Sequence, residues 1–97
     1  MQNFRNDSID NLFNTISKLN TVEDCYKFFE DLCTVKEIQD MAQRFDTAIL
    51  LNKGESYQNI SGKVGVSSAT ISRVNSCLNY GSGGYKKAIL ELEKGNK

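Results

Sequence analysis

The 97-residue chain has no histidine and no proline, and its 12 basic side chains are cancelled by 12 acidic ones. Each absence closes a class of explanation. Without histidine the commonest general base and metal ligand is missing, and the three cysteines, Cys25, Cys33 and Cys77, follow no metal-ligand spacing. No serine or cysteine stands beside a plausible base, so neither an enzyme nor a metal cofactor is expected. An odd cysteine count fits reduced core residues. Without proline, nothing forces a helix to kink. A net charge of zero leaves no polybasic arm and no acidic tail, so any attraction to nucleic acid must be local. No apolar run approaches the length of a membrane span, and the start MQNFRNDS has neither a basic beginning nor an apolar signal core. The chain is therefore expected in the cytoplasm, with no membrane partner.

What the sequence does contain is helical periodicity. Asp7 or Ser8 can cap a first helix in which Ile9, Leu12, Phe13, Ile16 and Leu19 recur at intervals of three and four. Thr21 with Asp24 has the form of a capping box and starts a second helix, with the stripe Val22, Cys25, Tyr26, Phe29, Leu32 and Cys33. Thr34 with Glu37 repeats the box. It opens a third and longest helix from Val35 to about Asn52, with Ile38, Met41, Ala42, Phe45, Ala48 and Ile49 inward and Gly54 closing it. Residues 79–84, NYGSGG, read as a flexible link, since a phosphate-binding loop needs a preceding strand and a lysine followed by serine or threonine. A last helix, Tyr85 to about Lys94, sets Tyr85, Ala88, Ile89 and Leu92 on one face. No segment alternates with period two over strand length, so the fold class is all-α with six helices.

Between the third helix and the link lies the organising stretch, SYQNISGKVGVSSATISRVNSCL, residues 56–78. Ser56 caps a short helix, Tyr57 to Val64, and Gly65 supplies the left-handed residue that reverses the chain. Val66 plugs the corner, Ser67 caps again, and Ser68 to Leu78 forms a second helix with Ile71, Val74 and Leu78 inward. This is the pattern of a helix-turn-helix. Its outward residues, Ser67, Ser68, Ala69, Thr70, Ser72, Arg73 and Ser76, are small, polar or basic, as a helix lying in a major groove requires. With Lys63 they are the candidate DNA-binding residues. Charge agrees: residues 1–55 carry ten acids and six bases, whereas residues 56–97 carry two acids and six bases, and no acid occurs between Glu55 and Glu91. The alternative is a helical protein–protein interaction module without significant DNA binding, because positive charge is sparse.

One domain, 1–97, is expected, divided into a helical dimerisation core (1–55), the helix-turn-helix (56–78) and a loop with the C-terminal helix (79–97). Phe28, Leu50 and Leu51 widen the apolar stripes beyond what so short a chain readily covers, and a second subunit is the simplest cover. A two-fold dimer would also set two recognition helices about one DNA turn (~34 Å) apart.

From Thr34 to Leu78 the sequence resembles the tryptophan repressor superfamily, and SRVNSCLNYGSGGY (72–85) is similar to its YerC/YecD-type members. The resemblance covers nearly the whole chain. It implies an intertwined, all-helical homodimer that binds double-stranded operator DNA as a transcription regulator, with Ser68, Ala69, Thr70 and Ser72 approaching bases. None of these is a bidentate reader, so water bridges, small apolar contacts and DNA shape are implied instead. Two phosphate-contacting basic positions of the family's first motif helix are Gln58 and Ser61 here. The family's effector site maps onto Thr34, Arg44 and Arg73. Its glycine after the recognition-helix arginine is Val74, and a serine one turn on is Cys77. An isopropyl group where an indole needs clearance argues against tryptophan, and any other small-molecule effector stays open. Arg73 is accordingly expected to neutralise a phosphate.

Overall fold

A computed structural model describes residues 4–95. Among these residues there is no strand, and six helices follow one another: α1 (Asp7–Ser17), α2 (Val22–Leu32), α3 (Val35–Asn52), α4 (Tyr57–Val64), α5 (Ser68–Tyr80) and α6 (Gly84–Gly95). The all-α, six-helix architecture is the one the periodicity implies.

Helix starts are fixed by side chains that satisfy otherwise orphaned N–H groups. The Thr21 hydroxyl accepts from the Asp24 N–H at 3.0 Å. At α3 the box is reciprocal, with the Glu37 N–H donating to Thr34 Oγ1 at 3.1 Å and the Thr34 N–H donating to Glu37 Oε1 at 2.8 Å. The first helix departs from expectation by one residue. Its cap is Asn6, whose Oδ1 accepts from the Ile9 N–H at 2.8 Å, while Asp7 lies inside the first turn, where its charge suits the positive helix end.

Two further boundaries shift. Asn79 and Tyr80 belong to α5 rather than to the link, held in part by the Asn79 amide, which donates to the Asn75 carbonyl at 3.0 Å. The chain leaves the helix at Gly81, whose N–H donates to the Cys77 carbonyl at 2.9 Å. A Cβ there would collide with that carbonyl oxygen and lie 3.1 Å from its carbon, so only glycine fits this exit. At the other end of the link, α6 begins at Gly84, one residue earlier than expected.

The chain divides into two compact units, Met1–Ile38 and Gln39–Lys97, with α3 contributing its first residues to one and the remainder to the other. In the first unit neither α1 nor α2 has a buried residue. Ile9, Leu12, Ile16, Cys25, Phe28, Phe29 and Cys33 are half-buried, and Phe28 meets Phe29 edge to face at 5.7 Å. Phe13, Val22, Tyr26 and Leu32, expected in core-facing stripes, are exposed at 53%, 74%, 60% and 49%. Val22, Cys25, Tyr26, Phe29 and Ile38 line a shallow apolar groove of about 210 Å³.

The second unit holds two core clusters. Ile60, Val66 and Ile71 form one, with Leu50, Leu51 and Val64 against it. Ala48, Val74, Leu78 and Ile89 form the other, with Phe45, Ile49, Leu51 and Tyr85 at its margin. Removing an isoleucine side chain from water contributes about 1.5–3 kcal/mol, so Ile60, Ile71 and Ile89, each at most 1% exposed, are the main anchors. Thr47 is the buried polar residue, and its hydroxyl donates to the Gln43 carbonyl at 2.8 Å.

Several residues expected inside are outside. Met41 and Ala42 are exposed because both clusters sit on the C-terminal half of α3. Ala88 and Leu92 are exposed because α6 is anchored through Ile89, with Tyr85 half-buried. The cysteines are all free, but Cys77 is exposed rather than a core residue, since it lies on the flank of α5 beside the buried Val74–Leu78 edge.

Candidate nucleic-acid interface

The helix-turn-helix is built in the second unit from α4, a three-residue turn and α5. Ser56 Oγ accepts from the Asn59 N–H at 3.1 Å, and Ser67 Oγ accepts from the Thr70 N–H at 3.2 Å, so both helices begin on the serines expected. Gly65 adopts φ 84°, a left-handed conformation that costs an L-side chain roughly 1–2 kcal/mol, and its N–H donates to the Ser61 carbonyl at 2.9 Å. A second bond secures the corner. Ser61 Oγ donates to the carbonyl of Val66 at 3.0 Å, and Val66 itself belongs to the Ile60–Ile71 cluster. Ser61 thus fixes the corner with a side-chain hydrogen bond.

With Ile71, Val74 and Leu78 buried, the opposite side of α5 faces solvent. Ser67, Ser68, Ala69, Ser72, Arg73 and Ser76 are exposed and Thr70 is half-buried. The Thr70 hydroxyl is engaged by Ser67 Oγ at 3.2 Å, so it reaches a ligand only as part of that pair. Lys63 differs from the others. Its Nζ lies 3.1 Å from Glu55 Oε1, an exposed ion pair that ties the last turn of α4 to the residues just before it. Such a pair contributes roughly 0–1 kcal/mol, and a phosphate can compete for the lysine. Glu55 was not legible as a partner, because an eight-residue separation across the Ser56 cap and α4 matches neither the three- nor the four-residue spacing of helical side-chain pairs.

On the flank of α5 a cavity of about 530 Å³ is lined by Asp40, Gln43, Arg44, Val66, Thr70, Arg73, Val74, Cys77 and Tyr85. The structure therefore brings Arg44 and Arg73 to one concave surface, with the buried Val74 and the half-buried Tyr85 as apolar wall. Its lining comes entirely from residues 39–97. Thr34 belongs to the other unit, where its hydroxyl and N–H are both committed to the capping box. Asp40, Gln43 and Tyr85 were missed as lining residues. Asp40 and Gln43 share the Arg44 side of α3, which periodicity could have indicated, whereas Tyr85 arrives through the return of α6, which no local pattern encodes. Among the described residues no group of side chains could hold a metal ion, and no helix is long and apolar enough to cross a membrane.

The family model for the Trp repressor protein matches residues 7–93 of this chain. The chain belongs to the Trp repressor family. That family comprises DNA-binding regulators rather than enzymes. Within reach of it, the chain is similar to the protein YerC of Bacillus subtilis (strain 168), 49% identical over 85 residues that cover 88% of this chain and 82% of that one. The fold is likewise similar to the crystal structure of a TrpR-like protein from Eubacterium eligens ATCC 27750, with a TM-score of 0.89, 42% identity and 92% of each chain covered. A solved chain from Staphylococcus aureus is similar at a TM-score of 0.88 and 40% identity, over 92% of this chain and 89% of that one. Family membership and six-helix fold thus agree with the resemblance carried by residues 34–85.

Proposed function

We propose that the protein is a sequence-specific transcription regulator that binds operator DNA as a homodimer. The observation that carries this reading is the outward face of α5. It is small, polar and exposed, it is fixed by two serine caps and the Gly65 turn to a buried cluster, and it lies in a stretch without an acid from Ser56 to Leu90. In this reading Ser68, Ala69, Thr70 and Ser72 approach bases, while Arg73 and Lys63 neutralise phosphates. Because none of the four forms a bidentate fork, specificity rests on water bridges, methyl contacts and DNA shape. The exposed apolar faces of α1 and α2 support dimerisation, each covering the other copy's.

The cavity supports a second element of the proposal, regulation by a small molecule. Two arginines on one concave surface favour an anionic group, and charge-assisted hydrogen bonds would give it direction. Val74 forms part of the wall where the family's glycine leaves room for an indole, so tryptophan is not the ligand proposed. Arg73 lies where the cavity meets the DNA-facing side of α5, which gives it access to either partner.

A mobility shift across a salt series tests the reading. The expected result is binding to selected duplexes that weakens linearly in log affinity with log salt, from a protein whose scattered-light mass is that of a dimer. Absence of a salt-dependent shift, with a dimer intact, would favour a protein-docking module instead, the reading that the engagement of Lys63 by Glu55 leaves room for.

A further inference from the structure

We infer that Tyr80, at the C-terminal end of α5, is a DNA-backbone contact that positions the recognition helix; the inference rests on the DNA-binding reading above. Tyr80 is 89% exposed, the most exposed large hydrophobic side chain among the described residues. Its place on the helix is the argument. At about 100° per residue, the buried Ile71, Val74 and Leu78 centre on one side of α5, and Ala69, Arg73, Ser76 and Tyr80, spaced four, three and four, fall within about 60° of one another on the opposite side. Tyr80 therefore continues the proposed DNA-facing stripe by one further turn, about 16 Å along the axis from Ala69.

Nothing in the protomer's packing requires a large aromatic there. The helix is terminated without it, by the Gly81 N–H on Cys77 and the Asn79 amide on Asn75. Charge identifies the occupant. The sequence around Tyr80 is free of acids from Ser56 to Leu90 and continues into Lys86 and Lys87, so the surface suits a polyanion rather than an acidic or neutral protein face. A phenol adds what serine cannot: a long reach, with an O–H that donates to a phosphate oxygen and a ring that covers the sugar edge. It carries no sequence information and no charge.

These properties set the test. Tyr80→Phe and Tyr80→Ala, in the full-length chain, are compared with wild type and with Arg73→Ala on a duplex selected by the wild-type protein and on a scrambled duplex. Loss of a hydrogen bond to a charged acceptor predicts on the order of tenfold weaker binding for Tyr80→Phe, equal on both duplexes, with the salt slope unchanged because no counterion-releasing charge is lost. Arg73→Ala lowers the slope by about one unit. Unchanged binding by both Tyr80 variants overturns the inference while leaving the DNA-binding reading standing. So does a loss confined to the selected duplex, which would make Tyr80 a base reader. A Tyr80→Ala variant that changes mass by light scattering but not DNA affinity assigns the ring to a protein contact and also overturns it. Failure of the wild-type protein to select any duplex overturns both readings together.

Discussion

The two units of this chain use amphipathic helices in opposite ways. In residues 39–97 the helices have fully buried anchors: Ile60, Ile71, Val74, Leu78 and Ile89 are almost inaccessible to solvent, and the small α4 is held by one of them. In residues 1–38 the stripes are richer in aromatics, yet α1 and α2 bury nothing completely and leave Phe13, Val22, Tyr26 and Leu32 open. Pattern strength and burial within one protomer are thus separate quantities. A helix whose apolar face is strong and uncovered is a surface awaiting a second partner, whereas a helix with a short, covered face is a platform for whatever its other side presents.

Substitutions can break this contrast, and the largest effect is expected on the uncovered side. Tyr26→Asp should leave the protomer's helices intact but place an unpaired charge in the proposed dimer face, at a cost of about 3–5 kcal/mol to association. Sedimentation should then show a monomer with wild-type helical content. Ile71→Ala belongs to the covered side and should do the reverse. It empties the cluster beneath the turn and lowers folding stability by about 2–5 kcal/mol in denaturant titrations, with DNA binding lost in parallel. If both variants act alike, the two units do not divide the labour as described.

Gly65→Val sharpens the comparison within the second unit. Space is open around Gly65, so the penalty comes from its φ of 84° alone and should be roughly 1–2 kcal/mol in thermal or chemical unfolding. The smallest effect is expected at Glu55. Glu55→Gln removes the ion pair on Lys63, should change stability by no more than about 1 kcal/mol, and should strengthen DNA binding a few-fold at low salt as Lys63 is released to a phosphate. A titration of DNA affinity against salt reads that shift.

The pattern of what the sequence revealed follows the range of the interactions. Thr21, Thr34, Ser56 and Ser67 caps, the Gly65 turn and the α3 limits depend on partners three or four residues away, and each is visible in the local string. Asn6 was hidden among three adjacent residues, Asn6, Asp7 and Ser8, each of a type that caps a helix start. The extension of α5 to Tyr80 depends on the exit geometry at Gly81, which glycine content alone does not locate. Misplaced inward residues have a different cause. Met41, Ala42, Ala88 and Leu92 fit their stripes by period, but periodicity names a face without saying how far along the helix the core extends. For the candidate site, the α5 surface and the pairing of Arg44 with Arg73 were legible, the latter through the resemblance, while Glu55 on Lys63 spans eight residues, beyond the spacings that periodicity pairs, and Tyr85 reaches the cavity through the return of α6.

Selection of duplexes from a random pool by the purified full-length protein tests the central claim most directly, because it asks both units to act at once. The account predicts enrichment of inverted repeats whose half-sites are about one helical turn (~34 Å) apart, read by two α5 helices related by the dimer axis. Enrichment of a single unrepeated half-site, or none at any salt concentration, would contradict it.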